Sequence, residues 1–259
     1  MSVYVTFHKP FRMFASEPVY TPLHVGKMIA HTELGIIGDN TGDHISAKNK
    51  TYSELTGLYW IWKNTCDDMV GLCHYRRYFM GGKPDLAMKL KKAGEFLLGK
   101  GRLLRNIYQV SGLKYARFIL KKRSIDELLS QYDVIIPFEY QMRRTVREQF
   151  ARRHNQKDLT LVENIIGEKY PAFLEAFHTC MEKKSFSPFN MFIMRRRHFE
   201  SYMEWLFGIL TEFESKANYS AYDSYQQRLP GFLAERLFNV WLLRSRLKVR
   251  EMPILFIKD

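Results

Sequence analysis

Short apolar runs alternating with amphipathic stretches predict an α/β domain in which a mainly parallel central sheet is flanked by helices. Three observations carry this. Val3–Phe7 (VYVTF) is β-branched and aromatic, as strands are. Leu55, Leu58, Tyr59 and Trp62 fall at i, i+3, i+4 and i+7, one apolar face of a helix. Met69–Cys73 (MVGLC), which follows that helix, is an apolar run too short to be another and reads as a buried parallel strand.

Taken in order, the first strand ends at His8-Lys9-Pro10, and an irregular stretch with Pro18 and Pro22 leads to a strand candidate at Gly35–Gly38. The turn formers of 39–49 (DNTGDHISAKN) run up to Ser53, an expected N-cap for the central helix, and Asn64 is its expected end. The strand 69–73 opens into His74-Tyr75-Arg76-Arg77. Basic amphipathic helices are expected over 81–123, where Leu86, Met88, Leu90, Phe96, Leu97, Leu103, Leu104, Ile107 and Tyr108 interleave with charge. Ser124 reads as the N-cap of the next helix, 132–137 (YDVIIP) as a buried strand, and 159–184 as helix restarted at Pro171. A strand at 190–194 (NMFIM), a helix over 199–214, an irregular stretch from Tyr219 to Arg228, a helix over 231–242 and strands at Val249 and 254–257 complete the chain. With no internal repeat and no low-complexity linker, 1–259 reads as one domain.

The composition narrows function without choosing it. Forty Lys and Arg against 27 acids give +13, so an anionic partner is expected: nucleic acid, a phosphorylated small molecule or an anionic membrane surface. The 12 basic and two acidic residues of 81–123 carry most of that excess, the pattern of helices that lie on anionic membranes. Cys66, Cys73 and Cys180 have no metal-ligand spacing and are odd in number, which fits a reducing compartment. No cleavable leader and no run of roughly 18 apolar residues is present, so a cytoplasmic protein is expected.

Neither G-x-G-x-x-G nor a Walker sequence occurs, nor H-E-x-x-H, nor G-x-S-x-G; dinucleotide, P-loop and metalloprotease chemistries lose support. What remains is polar residues at strand ends, where open α/β sheets bind ligands. Adjacent Arg76 and Arg77 suit concentrated negative charge, most simply a diphosphate. Because neighbouring strand residues point to opposite faces, one of the two is expected to reach the ligand.

The runs YSELTGLYWIWKN and GLCHYRRYF, then NMFIM and RLPGFLAERLF, resemble the bacterial galactofuranosyltransferase family, glycosyltransferase family 111, of capsule, exopolysaccharide and O-antigen synthesis. The resemblance covers nearly the whole chain. It implies a GT-A-like fold and inverting transfer of galactofuranose from UDP-galactofuranose to a lipid-linked glycan acceptor. The basic segment 81–123 looks like an insertion relative to shorter members.

On that resemblance, His8, Lys9, Asp39, Asp43, Asn49, Glu54, His74, Tyr75, Arg76 and Arg77 are the expected donor-binding set. Asp39 and Asp43 are placed on ribose or uracil, and the arginines on the diphosphate. GT-A enzymes commonly end the central strand in D-x-D, which grips a divalent metal; here the strand ends in His74-Tyr75-Arg76-Arg77, so no metal ligands are assigned and the metal is expected to be dispensable, Mn or Mg bound at Asp39 and Asp43 being the alternative. Glu235 is the candidate general base, with a buried pair with Arg236 as its other reading; Asp158 is second. His154, Asn190 and Arg236 are expected at the sugar or acceptor. The expected partners are a UDP-sugar, a lipid-linked glycan, an anionic membrane at 81–123, no nucleic acid, and a second copy in a homo-oligomer, with the chain peripheral at the inner face of the cell membrane. Transfer of another UDP-hexose, or a non-catalytic basic nucleic-acid- or membrane-binding module, are the competing readings.

Overall fold

The computed structural model describes residues 1–97, 106–218 and 221–258; Leu103, Leu104 and Tyr219 lie outside the described residues, as does the side chain of Phe96. The chain runs through β1 (Ser2–Phe7), β2 (Tyr20–His24), β3 (Ile37–Gly38), α1 (Asn49–Tyr52), α2 (Leu55–Asn64), β4 (Met69–His74), β5 (Arg77–Phe79) and α3 (Leu86–Leu97). Then come β6 (Ile107–Ser111), α4 (Lys122–Leu129), β7 (Val134–Pro137), β8 (Tyr140–Gln141), α5 (Val146–Ala151), α6 (Gln156–Lys169), α7 (Leu174–Glu182) and β9 (Ser185–Phe186). The last elements are β10 (Phe192–Arg195), α8 (Arg196–Lys216), α9 (Leu229–Ser245), β11 (Val249–Met252) and β12 (Ile254–Lys258).

Among the described residues ten strands form one sheet, in the order β3-β2-β1-β4-β10-β7-β11, with β5, β12 and β6 continuing from β4 at its end. β10 is antiparallel to both neighbours; β1, β2, β3 and β4 are mutually parallel, as are β7 and β11. The carboxyl ends of β1, β2, β3, β4 and β7, the segment entering β10 and the amino terminus of α2 therefore share one edge. The core on one face packs α2, α8 and α9, with Leu55, Leu58, Ile61, Phe199, Tyr202, Leu206, Leu233 and Phe238 all buried. Gly57 sets how closely α2 lies on the sheet: a Cβ there would meet Val25 Cγ1 at 2.7 Å and Leu23 Cδ2 at 3.1 Å.

Several expectations are corrected. β2 falls in a stretch expected to be irregular because of its prolines. Val25 N–H donates to Phe7 O, whereas Asp39 N–H donates to His24 O, so even-numbered residues of β2 turn toward β3. Pro22 thus aims its missing N–H past the end of β3, the free flank a proline tolerates. Ser53 is no N-cap: it has φ 51° and turns the chain between α1 and α2, while α4 begins at Lys122 with Ser124 inside it. The basic segment is only partly helical. Ile107–Ser111 is a strand, paired in parallel with β12, and Leu113–Phe118 is a 3-10 turn. Arg77 does not end β4 but begins the antiparallel β5, facing His74 across a two-residue turn, Tyr75-Arg76.

Candidate active site

The edge just defined is organised around a strained turn. Phe189 and Asn190, just before β10, have φ of 78° and 51°, a region bulky side chains avoid. Three polar side chains hold them there. Glu235 Oε1 accepts from Phe189 N–H at 2.9 Å, His74 Nε2 meets Phe189 O at 2.7 Å, and Asn190 Nδ2 donates to Glu54 Oε1 at 2.8 Å. Burial holds His74 below its ordinary pKa, so it is neutral near pH 7; with a carbonyl opposite, Nε2 carries its proton and Nδ1 faces Thr6 Oγ1 at 3.3 Å. Backbone strain fixed from several sides is a frequent property of sites that do chemistry.

Glu54, in the last residue before α2, is central. Its charge acts on His8, His74, Arg77, Tyr202 and Glu235. Only its Oε1 has a protein partner among the described residues. Glu235, in α9, has both oxygens engaged, Oε2 accepting from Arg236 Nη1 at 3.1 Å. Burial raises the Glu235 pKa against the opposing pull of Arg236, yet 22% of the side chain remains exposed, enough to be reached.

The two arginines of the turn are held by aromatic rings rather than acids. The Arg76 guanidinium lies 5.2 Å from the Phe11 ring centre and 5.0 Å from that of Tyr75; Arg77 lies 4.7 Å from Phe189 and 5.5 Å from Phe256. Among the described residues neither forms an ion pair or a side-chain hydrogen bond, and the Nε of each is buried and unpartnered. Burial lowers the pKa of Arg77, with Glu54 and Glu235 acting against that from beyond ion-pair distance. Lys9, exposed at the end of β1, completes the cationic side; His8 beside it packs edge-on to Tyr75 at 5.3 Å and is kept below its ordinary pKa by desolvation, then by Lys9, Arg228 and Arg76, so it is a neutral hydrogen-bonding group near pH 7. The arrangement offers positive charge with unused donors beside two carboxylates.

The family described as a domain of unknown function, DUF4422, matches residues 2–246. The chain belongs to the DUF4422 family. No curated protein sequence matches it. Among solved structures, the apo form of WbbM, a bifunctional glycosyltransferase, matches with a TM-score of 0.86 and 29% identity, over 100% of this chain and 45% of that one. The DUF4422 chain thus has the α/β fold of a glycosyltransferase structure and spans less than half the length of WbbM.

Other expected residues of this DUF4422 chain lie elsewhere. Asp39 is fully buried; its carboxylate accepts from Gly26 N–H and Lys27 N–H, and from Ser46 Oγ at 2.5 Å, so it shapes the loop after β2 and has no oxygen facing the cluster. Asp43 is exposed against Tyr59 and Asn64, the far end of α2 from Glu54, about 15 Å of helix away. The two aspartates therefore keep separate company. Asn49 donates to Ser53 O at 2.7 Å and Thr56 Oγ1 at 3.0 Å, filling the space that a Cβ on Gly26 would take. It braces the Ser53 turn, whose Oγ accepts from Arg228 Nε at 3.1 Å.

His154, Asp158 and Arg236 form a second group beside the first. His154 Nδ1 lies 2.9 Å from Gln226 Oε1, with its ring 4.5 Å from that of Phe232 and stacked on Tyr225 at 6.2 Å. Asp158 is buried under the Tyr222 hydroxyl, its pKa raised by that burial. Arg236 Nη2 donates to Gln149 Oε1 at 2.7 Å, so the expected Glu235–Arg236 pair exists and is anchored to α5. The sequence does not mark Phe189, Arg228 and Phe256 as site residues, and it marks Ser53 only as a helix cap. The Pro188-Phe189-Asn190 run before an apolar strand was the one available signal, a turn with a polar residue at its exit.

Proposed function

We propose that this chain is a glycosyltransferase that takes a nucleoside-diphosphate sugar as donor. The observation that carries the reading is the pair Arg76 and Arg77: two stacked guanidinium groups with buried, unused N–H donors at the carboxyl end of the central strands. Desolvated arginines without acids are costly to the fold unless an anion completes them, and a diphosphate matches their fork geometry. The likeness to a bifunctional glycosyltransferase supports the same class of reaction. UDP-galactofuranose as donor, inversion, and a lipid-linked glycan acceptor in cell-surface polysaccharide synthesis are the finer reading, supported by the resemblance of the runs around Tyr52–Phe79 and 228–238 to galactofuranosyltransferases.

In this reading the acceptor hydroxyl attacks the anomeric carbon from the face opposite UDP. The new C–O bond forms as the bond to the β-phosphate oxygen breaks, the configuration inverts, and the electron pair leaves on UDP. Arg77, with Arg76 and Lys9, neutralises that departing charge, and His8, neutral near pH 7, offers it a hydrogen bond. The acceptor proton needs a carboxylate with a lone pair directed at substrate. Glu54 meets this with its uncommitted Oε2, whereas the two oxygens of Glu235 hold Phe189 and Arg236. We therefore assign proton removal to Glu54 and the bracing of the turn to Glu235, reversing the order the sequence favours. In this reading the arginines take the place of a divalent metal in neutralising the diphosphate.

The test is direct. UDP should raise the melting temperature of the wild-type chain, unchanged by EDTA, and radiolabelled or mass-resolved product should form from UDP-galactofuranose in preference to UDP-galactose and UDP-glucose. Glu54→Gln should lower kcat by about 10²-fold or more, with UDP binding retained, and Glu235→Gln by less. No response to UDP at low salt would end the proposal, and full activity in Glu54→Gln would end the assignment of the base.

A further inference from the structure

Helix α3 is mounted with its leucines outward. At 100° per residue, Leu86, Leu90 and Leu97 lie within a stripe about 40° wide, and Met88, Lys91, Lys92 and Glu95 centre about 170° away. That opposite side is the one attached to the protein. Met88 is 3% exposed, Lys91 Nζ donates to Gln109 O at 2.6 Å, and Lys92 Nζ donates to Ile107 O at 2.6 Å. Lysine side chains thus tether the helix to β6, while Leu86, Leu90 and Leu97 stand 71%, 64% and 84% exposed. Soluble helices are built the other way round.

The charge around the stripe says what covers it. Lys89 flanks it on the helix and Lys83 precedes it, both exposed. Arg117, 66% exposed, reaches Asp85 at the amino end of α3, and Lys92 holds Glu95. The two acids of this segment are each paired, so cations are left in excess beside an apolar stripe. A second copy of the chain would bring like charge against like, each copy carrying +13. An anionic bilayer instead receives the leucines among its acyl chains and the lysines at its headgroups.

We propose that α3 docks this protein on an anionic membrane surface, lying in the interface with Leu86, Leu90 and Leu97 inserted. This needs no sugar donor and stands apart from the reaction assigned above. The experiment is vesicle flotation of the full chain at ~0.15 M salt, using phosphatidylcholine vesicles with or without roughly one phosphatidylglycerol in four. Wild type should float with the anionic vesicles and stay down with the neutral ones. Leu86→Ser/Leu90→Ser/Leu97→Ser, which removes exposed side chains only, should lower the partition constant by about tenfold or more. Its melting temperature and UDP response should be those of wild type. Equal flotation of the triple variant, or no flotation of wild type, would overturn the proposal. So would sedimentation showing a dimer that the triple substitution splits, which would assign the stripe to a second copy.

Discussion

Replacing Arg77 by methionine separates what the residue does for binding from what it does to stability. The guanidinium sits between Phe189 and Phe256 without an ion pair, so in the ligand-free protein it is a desolvated charge with unused donors. Its stacking contributes about 1–2 kcal/mol over the two rings, and the thioether of methionine recovers part of that. Burial of an incompletely partnered ion costs several kcal/mol, roughly, in real proteins. The balance favours the variant by about 1 kcal/mol, which is about 2–4 °C in melting temperature for a domain of this size. Against this, a two-point contact to phosphate is worth about 2–3 kcal/mol, so Kd for UDP should weaken about 30- to 150-fold. Differential scanning fluorimetry with a UDP titration reads both quantities, and kcat should fall by about 10²–10³-fold. An Arg77→Met protein that melts lower than wild type and still answers UDP with the full shift would refute the reasoning.

Three other outcomes follow from the same geometry. Asn190→Ala should destabilise the fold by about 2–4 kcal/mol, through the left-handed backbone and the lost bond to Glu54, and Asn190→Gly by less, since glycine keeps the φ of 51°; denaturant unfolding ranks the pair. Gly57→Val should cost about 1–3 kcal/mol and reduce activity as well, because its side chain pushes α2, and Glu54 with it, off Leu23 and Val25. His8, His24, His74, His154 and His198 are all held below their ordinary 6.5, chiefly by burial, so the unfolded chain binds more protons as pH falls through that value. Stability should therefore decline below about pH 6.5 and flatten above it, a trend that melting curves at fixed ionic strength will check.

The elements that packing dictates were legible in the sequence. α2, β4, β7, α8 and α9 stand where apolar period and length put them, because each buries a continuous stripe or run in the core. β6 was misread as helix because Ile107–Ser111 becomes a strand through β12, some 145 residues later in the chain, and no local period encodes a partner so distant. Of the candidate site, polar type makes His74, Arg77, Asn190 and Glu235 legible as candidates, while Glu54, at a helix start, enters only with the family resemblance. Their relations were not legible: the turn at Phe189 that binds them has φ values no pattern announces, and Asp39 looked like a ligand group although it closes the loop of Gly26 and Lys27.

β12 backs the edge of the sheet that carries the candidate site. Ile254, Leu255 and Phe256 pair with Phe79, Tyr78 and Arg77, and the Phe256 ring lies against the Arg77 guanidinium. The DUF4422 match stops at residue 246, ahead of this strand. A fragment trimmed to that boundary would retain every polar group of the cluster yet leave one arginine without its backing.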